Sequence, residues 1–385
     1  MKDISIYFQG IAVDGFVEEE ANLLNNVEIH TPDNFPELKE KGVALIYCPE
    51  YRSVSEVMPK GTDAFRKELY KLFPAASWNF KMYDLGNLLP GEKYTDTFFA
   101  LSSAVQELIK KDIVPIVIGG SQDLTYALYK AYEDLEQFVN LTTIDAKLDL
   151  GTGEGAIDKN GWLSHIVLHQ PNYLFNFSNL GCQAHYNPTS TFDLFEQLFF
   201  DVHRLGVLNT DITLAEPVLR NTDILSLDVE GLRASELNSS SYVHPNGFFA
   251  NEMCRLARYA GVSDKLSSFG IFNVWGGKDS AVADALLAQI IWYFVDGYAA
   301  RFGDFPIGTT KNYFRFKVYL EEIDTEINFL KSDKSGRWWM EVPYPQTKGN
   351  KYVRHHMVPC SYQTYQDAMQ NEIPDLWWST YQKLS

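Results

Sequence analysis

Basic residues are in deficit in this 385-residue chain, where 33 lysines and arginines face 50 acids for a net charge of −17. That deficit excludes nucleic acid and anionic membrane surfaces as partners, since both select basic patches. Cysteine is scarce too: Cys48, Cys182, Cys254 and Cys360 form no CxxC pair, which excludes a disulfide framework and a thiolate zinc site. No apolar run is long enough to cross a bilayer, and the longest, Ala285 to Val295, is broken by Gln289. Membrane insertion is therefore not expected. The start, Met1-Lys2-Asp3-Ile4-Ser5, lacks the apolar stretch of a signal peptide. A cytoplasmic location is the expectation, with the sequons Asn140-Leu-Thr142 and Asn176-Phe-Ser178 unused.

Several motifs are also missing. There is no Gly-x-Ser-x-Gly nucleophile elbow. Gly151-Thr-Gly153-Glu-Gly155 lacks dinucleotide-binding spacing and reads as a loop over a site. His355 and His356 are adjacent, so on a strand they point to opposite faces and make no paired metal site.

What is present is a long alternation of strands and helices. Apolar runs at 43–47, 81–85, 113–118, 139–144, 173–180, 223–229 and 269–274 read as strands. Helical spacing runs over 63–73, 97–110, 121–132, 192–205, 250–260 and 282–300. This order predicts a three-layer α/β sandwich on a mostly parallel sheet. Three units follow: an N-terminal extension over 1–40, the α/β unit over 41–304, and a C-terminal extension over 305–385. In the last, 313–320 alternates like an antiparallel strand, with 327–330 and 338–342 as partners and a turn at 333–336. Four of the eight tryptophans, Trp338, Trp339, Trp377 and Trp378, lie there. They predict either packing onto the core or a contact with a protein partner or a second copy.

Acids mark the chemistry. Asp145-Ala146-Lys147-Leu148-Asp149 and Ser226-Leu227-Asp228-Val229-Glu230 each follow a buried strand, at the end where α/β sheets gather ligands. Carboxylates at such positions demand a partner, a cation or a metal.

Together with Gly119-Gly120-Ser121-Gln122, these stretches resemble the three signatures of the ureohydrolase superfamily, which includes arginase, agmatinase and formimidoylglutamase. The resemblance runs from about Val43 to Arg301 and implies an arginase-like fold and homo-oligomers. In the family, two histidines and four acids hold two manganese ions whose shared hydroxide attacks an amidine carbon. Carried over, the histidines become Gln122 and Lys147; Asp145, Asp149 and Asp228 are kept, and the last acid is Glu230. An ammonium has no lone pair for a metal, so Lys147 is expected to replace one cation. What remains for metal is Gln122, Asp145, Asp149 and Asp228, an all-oxygen set suited to at most a single manganese or magnesium ion. The resemblance makes His165 the match for the proton shuttle; in a one-metal hydrolase, His165 or Glu230 would carry the proton. It places Asn273 where arginase-like members use an acid to hold the guanidinium. Pro245-Asn246-Gly247-Phe248-Phe249, followed by Glu252, resembles a family loop and helix start. The expectation is a pseudoenzyme that binds or scaffolds, with a one-metal hydrolase of linear amidines as the alternative and an acidic cleft for a cationic ligand as a third.

Overall fold

Strands that read as unbroken apolar runs form the buried centre of a parallel sheet, because helices cover both of their faces. The computed structural model describes residues 3–16, 21–54, 64–153, 155, 157–236, 244–274, 281–307, 311–344 and 355–384. Among these the strands are β1 (Phe8–Gln9), β2 (Val27–Ile29), β3 (Gly42–Tyr47), β4 (Lys81–Leu88), β5 (Ile113–Ile118), β6 (Val139–Ile144), β7 (Leu174–Cys182), β8 (Asp201–Arg204), β9 (Ile224–Asp228), β10 (Ser268–Phe272), β11 (Tyr313–Leu320), β12 (Thr325–Ser332), β13 (Trp338–Pro343) and β14 (His355–Cys360). The helices are α1 (Ala64–Tyr70), α2 (Tyr94–Ile109), α3 (Thr125–Lys130), α4 (Trp162–Val167), α5 (Thr189–Gln197), α6 (Leu205–Thr210), α7 (Ala215–Arg220), α8 (Ala250–Val262), α9 (Ala281–Ala299), α10 (Tyr362–Met369) and α11 (Asp375–Leu384). No helix among the described residues is long and apolar enough to cross a membrane.

The main sheet runs β1-β4-β3-β5-β10-β9-β6-β7-β8, with β2 also on β4. Its pairings are parallel except that of β1 with β4. Alternate side chains feed opposite cores. Val43 and Leu45 of β3 join α1, α8 and α9 on one face, while Ala44 and Ile46 join α2 and α3 on the other. The predicted three-layer sandwich is what forms. Strand order has a direct consequence for chemistry. β5, β10, β9 and β6 are neighbours at the centre, so four loops that are distant in sequence leave the sheet side by side.

The C-terminal strands form their own antiparallel sheet, β11-β12-β13-β14, with α10 and α11 on one face. The predicted turn after β12 carries Gly336 at φ +71°. Trp338 and Trp377 bury themselves inside this unit. Trp339 lies under the guanidinium of Arg220, 4.6 Å away. Trp378 remains 46% exposed. Arg220, at the end of α7, joins the two sheets. It donates to the carbonyls of Trp338 and Cys360 at 3.0 Å each and pairs with Glu216 at 3.1 Å.

Several elements differ from the sequence-based expectation. The helix predicted over 192–205 ends at Gln197. Phe199 then adopts φ +55°, and Asp201–Arg204 becomes edge strand β8 beside β7. The Asp201 carboxylate accepts from Asn176 at 2.8 Å and from Ser178 at 3.1 Å, so strand pairing overrides the helical spacing. The helix expected over 121–132 is a 3-10 turn at Gln122–Leu124 followed by the shorter α3. Residue 63, the expected start of α1, and residue 154 of the glycine-rich loop lie outside the described residues. The sequon asparagines Asn140 and Asn176 are buried on strands. His356 sits on β14, where burial pushes its imidazole down to about 4.

The Arg220 bridge sets a measurable dependence. Arg220→Ala leaves two buried carbonyls without their donor and Glu216 with Arg337 as its remaining cation, and should cost about 3 kcal/mol in denaturant unfolding. An unchanged midpoint would deny that this side chain fastens the two sheets together.

Candidate functional site

Each central strand ends in a turn with a defined support. After β5, Gly119 and Gly120 take φ of +87° and +78°, and a Cβ on Gly120 would meet Leu124 at 2.2 Å. Only glycine fits there, and the turn delivers Gln122 into the interior. After β6, the carbonyls of Asp145 and Lys147 accept from Asn179 Nδ2 at 3.3 and 3.0 Å. Asn187 receives the Leu148 amide at 2.9 Å and donates to the Ala146 carbonyl at 3.1 Å. Two asparagine side chains thus mould the Asp145–Asp149 turn. Asp149 itself sits at φ +44°.

The turns bring Gln122, Asp145, Asp149, Asp228 and Asn273 together, all buried. Asn273 lies just past β10 rather than on it, with φ +59°. Its amide nitrogen donates to Asp228 Oδ2 at 2.7 Å, while Asp228 Oδ1 accepts the Glu230 amide at 2.7 Å. Asp145 Oδ1 accepts the Lys147 amide at 2.8 Å.

Two ammoniums and an imidazole gather around Glu230. Lys147 Nζ is 3.6 Å from Oε2, Lys159 Nζ is 4.0 Å from Oε1, and His244 Nε2 is 3.7 Å from Oε2. Lysine 147, predicted as a cation among the acids, directs its ammonium to Glu230. Lys159 and His244 were missed by sequence reasoning. His244 immediately precedes the recognised loop at Pro245, a signal that could have found it; an isolated lysine in a loop offers none. His165 is partly buried on α4, with no hydrogen bond or ion pair joining it to the acids among the described residues.

Burial dominates the proton affinities. It raises Asp145 to about 6, against the favourable Lys147 amide. It raises Asp149 and Asp228 well above the carboxylate range, helped by the charge of Asp145 on both. Asp123, beside Gln122, rises to about 8 by burial, although Ser53 donates to it at 3.1 Å. Burial lowers His244, with Glu230 opposing.

A two-metal centre does not fit these residues. Lys147 offers no lone pair, and both oxygens of Asp228 already accept hydrogen bonds. Among the described residues no three histidine, cysteine, aspartate or glutamate side chains gather as a metal cage. Some donors do remain: Gln122 Oε1, Asp145 Oδ2 and Asn273 Oδ1 are buried and complete no hydrogen bond.

The arginase family matches residues 52–295, more than half of the sequence. The chain belongs to the arginase family. It is 24% identical over 262 residues to the formimidoylglutamase of Streptococcus gordonii, spanning 62% of this chain and 78% of that protein. Its fold resembles that of Trypanosoma cruzi formiminoglutamase, solved with Mn2+, at a TM-score of 0.64 and 17% identity, covering 74% of this chain and all of that one. Bacillus subtilis formimidoylglutamase gives 0.63 at 16% identity, with 76% and 97% covered. Agmatine ureohydrolase of Thermoplasma volcanium gives 0.56 at 17%, with 68% and 91% covered. Within this arginase-family chain, the acids at the ends of β6 and β9 stand beside lysines.

Those acids make stability depend on pH in a definite direction. Folded Asp145 keeps its proton to about pH 6, whereas an unfolded aspartate keeps it only to about 4. The folded state therefore binds more protons between these values, and stability contributed by this site falls as pH rises through 6 and beyond, where Asp149 and Asp228 follow. Asp149→Asn removes one such group. In chelator, its stability relative to wild type should rise with pH from 4 to 8, by at most about 1.4 kcal/mol per pH unit. A flat or falling difference in paired denaturation curves would contradict this electrostatic account.

Proposed function

We propose that this chain is a pseudoenzyme of its family, which keeps the arginase fold but binds or scaffolds instead of hydrolysing linear amidines. The observation that carries this reading is the Lys147 ammonium, 3.6 Å from Glu230, at the position where the family signature has a histidine. Lys159 adds a second cation at 4.0 Å. Positive charge that manganese would supply is thus built into the side chains. Four ionised carboxylates against two ammoniums leave about −2, which the raised proton affinities of the aspartates can neutralise. A hydroxide held between two metals has no place in this scheme.

A second reading has its own observation. The oxygens of Gln122, Asp145 and Asn273 without hydrogen bonds are hard donors suited to one manganese or magnesium ion. On that reading the chain is a mononuclear hydrolase of formimidoylglutamate, agmatine or arginine, with Glu230 or His165 carrying protons.

Metal content decides between them. After saturation with manganese and dialysis, elemental mass spectrometry should find essentially no metal. One ion per chain, lost in Asp149→Ala and accompanied by turnover of formimidoylglutamate, would establish the second reading; two ions would overturn both. Restoring the histidines by the double change Gln122→His and Lys147→His should create manganese binding. The single change Lys147→Ala should destabilise the metal-free protein by on the order of 2 kcal/mol, because Glu230 loses a counter-charge while buried.

A further inference from the structure

Parallel sheets are normally apolar on both faces, yet one face of β6, β7 and β8 is polar. Asn140, Thr142, Asn176, Ser178, Asp201 and His203 alternate outward on these strands. Registers bring Asn140 beside Asn176, and Ser178 between Thr142 and Asp201. Helix α7 reaches this face only through Pro217, Val218 and the Asn221 turn that follows. The C-terminal extension closes over it instead and leaves a groove of about 760 Å³. Asn140 lies five residues before Asp145, or about 16 Å of strand, so the groove stands apart from the acids at the strand ends.

The floor is ordered. Asp201 accepts from Asn176 and Ser178, and Asn176 in turn accepts from Lys383 of α11. Neither Lys383 nor Lys265, which is held by Asn221 and Asp223, is among the lining residues. The His203 ring also faces the groove, and among the described residues it makes no hydrogen bond.

The walls combine aromatic surface with negative charge. Phe199, Phe200 and Trp378 line the groove, and Phe199 and Trp378 are 38% and 46% exposed. Glu196 and Asp375 line it as well, and neither has an ion-pair partner among the described residues. Among the described residues no lysine or arginine lines it. Acids are common throughout a chain of net charge −17, so they alone would select nothing. Aromatic faces beside unpaired carboxylates, over a polar floor, select a cation that carries apolar surface.

We propose that this groove binds a small organic cation, an ammonium with an aryl or alkyl body. The body lies against Trp378 and Phe199, and the charge faces Glu196 and Asp375. The site exists only because the C-terminal extension folds onto the edge of the main sheet.

Isothermal titration of the full chain with benzyltrimethylammonium, and with phenylacetate as the anion of similar shape, tests this. Saturable binding of the cation to one site per chain is expected, with none for phenylacetate. Trp378→Ala should weaken it about tenfold, as should the double change Glu196→Gln and Asp375→Asn. These three side chains are exposed, so the variants keep the fold, which circular dichroism verifies. Absence of saturable binding would overturn the proposal, as would equal affinity for phenylacetate. Binding that survives both variants but disappears in Asp145→Asn would place the cation at the strand-end acids and overturn it too.

Discussion

Charge buried at the carboxyl ends of the central strands is the constraint around which the site is organised. Asp145, Asp149, Asp228 and Glu230 are all removed from solvent, and isolated buried carboxylates are strongly unfavourable. Three devices relieve that cost here: the raised proton affinities of the aspartates, hydrogen bonds from Asn273 and from the Lys147 and Glu230 amides, and the ammoniums of Lys147 and Lys159 at Glu230. A family site that answers the same problem with metal needs lone pairs where this chain has a lysine. On the reading proposed above, Lys147 changes how that charge is balanced within the arginase fold.

That backbone depends on uncharged supports. Glycines at 119 and 120 turn the chain after β5, and Asn179 and Asn187 hold the turn after β6. These groups decide where the acids point. Arg66 shows the same logic away from the site. It is fully buried and pairs with Asp84 at 2.7 Å, giving its carboxylate a partner within the sheet.

The C-terminal extension is bonded to the core through Arg220, whose guanidinium reaches carbonyls on both β13 and β14 and covers Trp339. Three of the four clustered tryptophans are consumed by this intramolecular packing. Trp378 is the exception, exposed beside the polar face of β6 to β8. The extension thus caps a sheet edge that would otherwise present its polar face to water, and it leaves a groove of mixed character between two folded layers.

The strands β3, β5, β6, β9 and β10, and the three signature turns that follow β5, β6 and β9, were legible in the sequence. Six-residue apolar runs and glycine or acid punctuation are local signals. Clustering of Gln122, Asp145, Asp149 and Asp228 followed from the resemblance, and the strand order places them on adjacent ends. Strand β8 was hidden, because Asp201–Arg204 continues a helical spacing and only pairing with β7 makes it a strand. Lys159 was hidden for a related reason: it arrives at Glu230 on a loop whose path no local pattern describes. Sequence by itself determined the layered α/β fold and, through the family resemblance, the expectation that Gln122 and Lys147 stand where relatives have histidines. Tertiary structure alone decided which charges meet at Glu230 and that a polar sheet face would lie under the extension, because those contacts join residues far apart in the chain.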